Sequence, residues 1–179
     1  YVRGGGADEN LYLLDGNPVY HVNHLLGFFS AFNPDAIKNT RFYKGSFPAE
    51  YGGRLSSVVD VRMNDGNRQE YHGNISVGLL SARANLEGPI VKDRSSFNVS
   101  VRRTWLDLIT GTALAIINKN SDTKESFGYH FFDINAKVNH SFSERSRAYL
   151  SFYMGQDAFR QGSKEKHEDS DDMFLWRWG

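Results

Sequence analysis

The chain has 179 residues, 40% of them apolar, which suffices for one ordinary domain or parts of two with a sizeable core. Lys plus Arg and Asp plus Glu balance at 21 each, so the basic excess that a nucleic-acid binder sets against phosphates is missing, and no nucleic acid is expected as a partner. There is no cysteine for a disulfide framework or a thiolate metal site, and the longest apolar runs, Leu25 to Phe29 and Ala113 to Ile117, fall far below the roughly 18 residues of a membrane helix.

The chain opens on Tyr1-Val2-Arg3-Gly4, without the basic and apolar regions of a signal sequence, and the natural N-terminus is expected upstream. A glycine triplet (Gly4 to Gly6) follows, then a short apolar strand at Leu11 to Leu14 and a turn at Asp15-Gly16-Asn17-Pro18. In Asn33-Pro34-Asp35-Ala36-Ile37, Asn33 can cap, Pro34 suits the first helical position and Asp35 favours the positive end of the helix dipole, which predicts a short helix. Strands are expected at Arg41 to Gly45 and Ser57 to Met63, with Asn64-Asp65-Gly66 as a closing turn. Residues 1–66 thus read as one compact α+β unit.

From Tyr71 onward the pattern becomes alternation over segments of about ten residues, as when one strand face meets lipid and the other water. Phe132, Ile134, Ala136 and Val138 share one face against Asp133, Asn135, Lys137 and Asn139. Ala148, Leu150, Phe152 and Met154 repeat this against Arg147, Tyr149, Ser151, Tyr153 and Gly155. An earlier segment sets Phe97, Val99 and Val101 against Asn98, Ser100 and Arg102. In the first segment the phase slips between Ile75-Val77-Leu79 and Leu80-Ala82-Ala84-Leu86, which predicts a β-bulge near Leu79 or two differently buried strand ends. A fifth strand begins at Phe174, Trp176 and Trp178.

Short turns, Glu87 to Arg94 and Ser143 to Ser146, alternate with long connections, Ile109 to Gly128 and Arg160 to Asp172, and Ile109 to Asn118 has helical character. Trp105, Tyr129, Phe131, Phe159, Trp176 and Trp178 lie near strand ends, where membrane girdles belong. The fold class is therefore an α+β unit over 1–66 followed, over 67–179, by the first four strands and the start of a fifth of an antiparallel transmembrane β-barrel. The alternative is a soluble or surface-exposed β-rich binding module, whose strands also alternate. Lipid cannot satisfy an open sheet edge, so such strands must belong to a closed barrel, and one large enough to enclose a globular unit has about 22 strands. The chain is accordingly expected to be a fragment.

No catalytic constellation is present: no lysine and hydroxyl residue follow the glycine triplet as in a phosphate loop, and no Gly-x-Ser-x-Gly elbow occurs. His21 and His24 lack a third ligand at a fixed offset, and the acidic stretch 165–172 lacks the order of a calcium loop, so no metal or cofactor is expected.

Several runs carry a family resemblance. Val2-Arg3-Gly4-Gly5-Gly6, Leu13-Leu14-Asp15-Gly16-Asn17-Pro18, Asn33-Pro34-Asp35-Ala36-Ile37 and Tyr43-Lys44-Gly45-Ser46-Phe47-Pro48-Ala49-Glu50-Tyr51-Gly52-Gly53-Arg54, continuing through Leu55-Ser56-Ser57-Val58-Val59-Asp60-Val61, resemble in order and spacing the plug of TonB-dependent receptors, in the version of the Bacteroidota. The resemblance implies an outer-membrane receptor of a Gram-negative bacterium, surrounded by outer-membrane lipid, that imports a siderophore, corrinoid, glycan or peptide when the TonB complex rearranges the plug. In that picture Arg3, Glu50, Arg54 and Asp60 of the plug are expected to pair with the lumen charges Arg102, Asp133 and Lys137, giving an interface that can break and re-form. The loop around Ile109 to Asn118 would lie at the cell surface.

Overall fold

The computed structural model describes residues 9–24, 27, 29–53, 56–120, 124–165 and 168–179. The N-terminal unit contains β1 (Asn10–Leu14), β2 (Asn17–Pro18), β5 (Ile37–Lys44) and β6 (Ser57–Met63) in one mixed sheet of order β2-β1-β6-β5, with β1 parallel to β6. A small ribbon, β3 (Asn23–His24) against β4 (Phe29–Ser30), sits in the connection between β2 and β5. Asp15 (φ 50°) and Gly16 (φ 88°) supply the two left-handed positions that a two-residue hairpin turn requires. Asn33 caps as expected, its side-chain oxygen accepting from the Asp35 amide at 3.2 Å, but the helix is only a single 3-10 turn over Pro34–Ala36. The β-branched Ile37 then enters β5, so the strand predicted at Arg41 starts four residues earlier.

The second sheet is a meander of six antiparallel neighbours: β7 (His72–Val77), β8 (Ser81–Val91), β9 (Ser95–Thr104), β10 (Lys124–Ser141), β11 (Arg147–Glu165) and β12 (Glu168–Trp178). The helix α1 (Leu106–Ile117) joins β9 to β10. Three expectations need correction. The phase slip near Leu79 is not a bulge but a hairpin: the Gly78 amide bonds the Ser81 carbonyl at 2.8 Å and Val77 pairs with Ala82, so one predicted strand is two and the sheet has six strands rather than four and a beginning. The bulge in β8 lies instead between Pro89 and Val91. The stretch Arg160 to Asp172 is not an irregular loop, because β11 runs on to Glu165 and pairs with β12, with Arg160 and Asp171 bonded at 2.6 and 3.0 Å. Lys166 and His167 lie outside the described residues.

β10 and β11, at 18 and 19 residues, are long enough to cross a bilayer, which takes about 9–11 tilted residues, and to continue beyond it. The N-terminal unit packs on one face of this sheet, called the inner face below: its core of Leu14, Val61 and Met63 closes against Tyr153 of β11. At the joint, Gly66 (φ 81°) presses so closely on β9 that a Cβ there would run into the Phe97 carbonyl.

The two faces of the sheet are inverted relative to a water-soluble protein. The covered inner face carries Asn98, Ser100, Arg102, Asp133, Asn135 and Lys137, all buried. The open outer face carries Ile75, Leu86, Val138, Leu150 and Phe152, all exposed. A soluble sandwich buries its apolar positions, whereas here the pleat sends them outward. Phe152→Arg, on that face in the middle of the sheet, is expected to oppose insertion into phospholipid vesicles by about 2–4 kcal/mol in a urea titration. A change within about 0.5 kcal/mol, the usual effect of a water-facing substitution, would speak against a lipid-facing wall.

The same parity corrects the aromatic girdle. Tyr129, Phe131, Phe159, Trp176 and Trp178 occupy positions paired in register with the inner face, and Phe131 is fully buried beneath the N-terminal unit. Closeness to a strand end does not fix which way a side chain points; register does.

Candidate functional site at the inner face

The surface between the N-terminal unit and the inner face holds most of the buried charge of the described residues, Asp60 apart. Asp133 of β10 accepts from both Nε and Nη2 of Arg102 on β9, at 2.7 and 2.6 Å. Arg102 lies over the Phe131 ring and its Nη2 also reaches the Ser30 carbonyl of β4 at 2.7 Å. Four residues along β10, and so on the same face, Lys137 donates to Asp15 Oδ1 at 3.1 Å, to Asp65 Oδ1 at 2.8 Å and to the Met63 carbonyl at 3.2 Å. Both clusters tie wall residues to turns and ribbon ends of the N-terminal unit.

Hydrogen bonds extend the seam. Asn33 Nδ2 donates to Ser100 Oγ at 2.7 Å, Tyr149 Oη to the Asp15 carbonyl at 3.0 Å, Asn64 Nδ2 to Glu87 at 2.7 Å and Ser96 Oγ to the Asp65 carbonyl at 2.6 Å. Asp35 pairs with Arg83 at 3.3 Å near the edge. Asp15 Oδ2, Asp133 Oδ1, Asn98 Oδ1 and Asn135 Nδ2 are buried without a hydrogen bond among the described residues. A seam of this kind is specific, and its direct bonds are ones that water can replace when the surfaces part.

Arg102, Asp133 and Lys137 therefore lie at the interface, but among the described residues their partners are others than Glu50 and Asp60. Asp60, though fully buried, pairs with Arg62 at 3.1 Å and accepts from Tyr51 at 3.4 Å, both within its own unit. Alternation along β6 aims it away from the wall. Glu50 is exposed, and Arg3 and Arg54 lie outside the described residues, as do Gly4 to Gly6. The left-handed Gly45 and Gly53, with Gly52, belong to the connection between β5 and β6.

His24, weighed from the sequence only as a possible metal ligand, is a participant in the seam. Fully buried, it stacks on Phe131 with centroids 4.0 Å apart and planes within 7°. Its Nδ1 lies 2.6 Å from Asp157 of β11 and its Nε2 3.6 Å from Asp133. Its neighbour His21 lies against Trp178 and Trp176. A lone histidine three residues from another gives no local signal for carboxylates 109 and 133 positions away.

Burial works against a charge on His24, but the hydrogen bonds and fields of Asp133 and Asp157 outweigh it and hold the imidazole above its ordinary 6.5. A folded-state value above the unfolded one gives a contribution fully present below 6.5 and lost as pH rises through the raised value. The seating of the N-terminal unit is thus expected to weaken towards alkaline pH. Protease sensitivity of that unit across about pH 5 to 8 and somewhat above reads this, and His24→Phe, which keeps the stack, should flatten the profile. An unchanged profile in the variant would assign the dependence to other groups.

Residues 1–59 match the family model described as the TonB-dependent receptor plug domain. The structure resembles that of the siderophore receptor PirA from Acinetobacter baumannii, with a TM-score of 0.55 and 17% identity, over 98% of this chain and 32% of that one. At this identity the likeness concerns the fold, and the chain spans about a third of that receptor's length. No curated protein matches the chain.

Proposed function

We propose that this chain, whose N-terminal third belongs to the TonB-dependent receptor plug family, forms the gate and first wall strands of an outer-membrane active importer. The observation that carries the reading is the polar seam itself: a small unit is held against the polar face of long strands whose other face is bare and apolar. Such a seam can be broken and re-formed at modest cost, as a gate requires, whereas an apolar core cannot part into water. The fold and the plug assignment favour a receptor over an enzyme. Energy would come from the TonB complex, the location would be the outer membrane of a Gram-negative bacterium, and the plug words at Pro48 to Val61 suggest the Bacteroidota.

Import requires the plug to move, so tethering it should abolish import. Asp35 on the plug side and Arg83 on the wall are partly exposed and in contact. In the full-length receptor, Asp35→Cys with Arg83→Cys, bridged by a short bifunctional methanethiosulfonate, is expected to stop receptor-dependent growth on whichever of ferric siderophores, corrinoids, oligosaccharides or peptides supports it. Reductant should restore growth. Undiminished growth with the bridge in place would overturn a mobile plug.

A further inference from the structure

The helix α1 is turned the wrong way for a loop in water. Asp107 and Thr110 point at the protein: Asp107 meets Arg103 at 2.9 Å and His130 at 3.4 Å, and the Thr110 hydroxyl reaches the Phe127 carbonyl at 2.9 Å, while the exposed Thr112 bonds back to the Leu108 carbonyl of its own helix. Most of its large apolar side chains point away, with Leu108 61%, Ile116 72% and Ile117 65% exposed, while Leu106 and Leu114 are half-buried and no residue of the helix is buried. Helical geometry puts Ile109 and Ile116 on one stripe, opposite the stripe of Asp107, Leu114 and Asn118. A water-facing helix shows the reverse order.

Register tells where the helix lies. Arg103 pairs with Phe132, and Gly128 and His130 are even-numbered positions of β10, so all three belong to the outer face. The Asp107 Cβ approaches Gly128 closely enough that a Cβ there would touch it at 3.6 Å. The helix therefore packs over the end of the outer face, continuous with the apolar wall that bears Leu150 and Phe152. Between helix and wall runs a cleft of about 490 Å3, lined by Leu114 and Ala115 from α1 and by Ala158 and Met173 from the strands, with the polar Asp107, Glu125, His130 and Arg160 also in its lining.

We propose that α1 is a lipid-docking helix at the membrane boundary, and that the cleft beneath it takes one acyl chain of the surrounding lipid. This rests on the reading of the second sheet as a membrane wall. Small residues on the helix and Ala158 on the wall leave a slot, and the slot opens on the same apolar face that lipid would cover. Burial of Leu108, Ile109, Ile116 and Ile117 in the acyl region offsets the cost of exposing them, at roughly 25 cal/mol per Å2.

The test uses the full-length receptor in phosphatidylethanolamine–phosphatidylglycerol vesicles, spin-labelled singly at Ile116→Cys, Leu108→Cys, Phe152→Cys on the wall and Arg145→Cys in a short turn. The helix sites and Phe152 should be several-fold more accessible to oxygen than to a polar nickel chelate, with Arg145 reversed. If Phe152 reports lipid and the helix sites report water, the helix proposal falls while the wall reading stands. If the helix sites are closed to both probes, protein covers them, from a later segment or a second copy, and the proposal also falls. If Phe152 itself reports water, the wall reading fails and takes the proposal with it. For the cleft, Ala115→Phe, or the milder Ala115→Leu should the first fail to insert, should lose phospholipid that the unaltered receptor retains through detergent extraction. Unchanged retention would overturn the acyl-chain assignment.

Discussion

Asp133→Ala is expected to loosen the plug by about 3–5 kcal/mol, the usual cost of removing one partner from a buried ion pair. Arg102 would remain in place, nearly buried, with its guanidinium facing Phe131, the Ser30 carbonyl and an empty position where two charge-assisted hydrogen bonds had been. The charge of His24 would at the same time lose one of the two carboxylates that favour it. In cells carrying the full-length form of the importer proposed above, the readout is entry of a large glycopeptide antibiotic, which a seated plug is expected to exclude, together with proteolysis of the plug. Asp133→Asn, which keeps the shape and can still accept from Arg102, should lie between the alanine variant and the unaltered receptor. Leakage equal to the unaltered receptor in both variants would show that the seam does not hold the gate.

Lys137→Ala should act by the same physics with the signs exchanged, again at about 3–5 kcal/mol. Two carboxylates, Asp15 and Asp65, converge on its ammonium, and both would be left without it, although Asp65 keeps Lys38 at 2.8 Å. Burial alone would raise the Asp65 carboxyl, but the hydrogen bonds and charges of Lys137 and Lys38 hold it below its ordinary 3.8. A lowered folded-state value means a contribution present above 3.8 and lost as pH falls through the depressed value. The unaltered plug should therefore survive further into acid than the Lys137→Ala plug. Asp15→Asn combined with Lys137→Ala should recover part of the loss, because it removes the buried charge that the alanine strands. Simple addition of the two single effects would mean that the pair is not coupled.

The wall and the seam differ in how far local pattern could announce them. Alternation in β10 and β11 is a property of neighbouring residues, so the two faces could be told apart before any fold was known. Asp15-Gly16 and Asn33-Pro34 were equally legible, since turn and cap chemistry reach only a few residues along the chain. The hairpin at Gly78 was not: a strand reversal and a bulge shift the alternation alike, and only the pairing of Val77 with Ala82 separates them. The acidic stretch after Arg160 misled for a similar reason. Its charges suggested a solvated loop, yet across the ladder Asp171 meets Arg160, and backbone pairing carries the strand through.

By itself, the sequence determined the unlike halves, the inverted faces of the long strands, the plug words and the charged residues Arg102, Asp133 and Lys137 on the inner face. Tertiary structure alone decided their partners. Asp15, Asp65, His24 and Ser30 come from turns and a ribbon whose positions depend on how the plug sheet seats against Tyr153, and Asp60, which looked equally suited, is aimed elsewhere by the pleat of β6. Charge pairing between segments more than a hundred residues apart is set by packing of surfaces, and no local spacing records it.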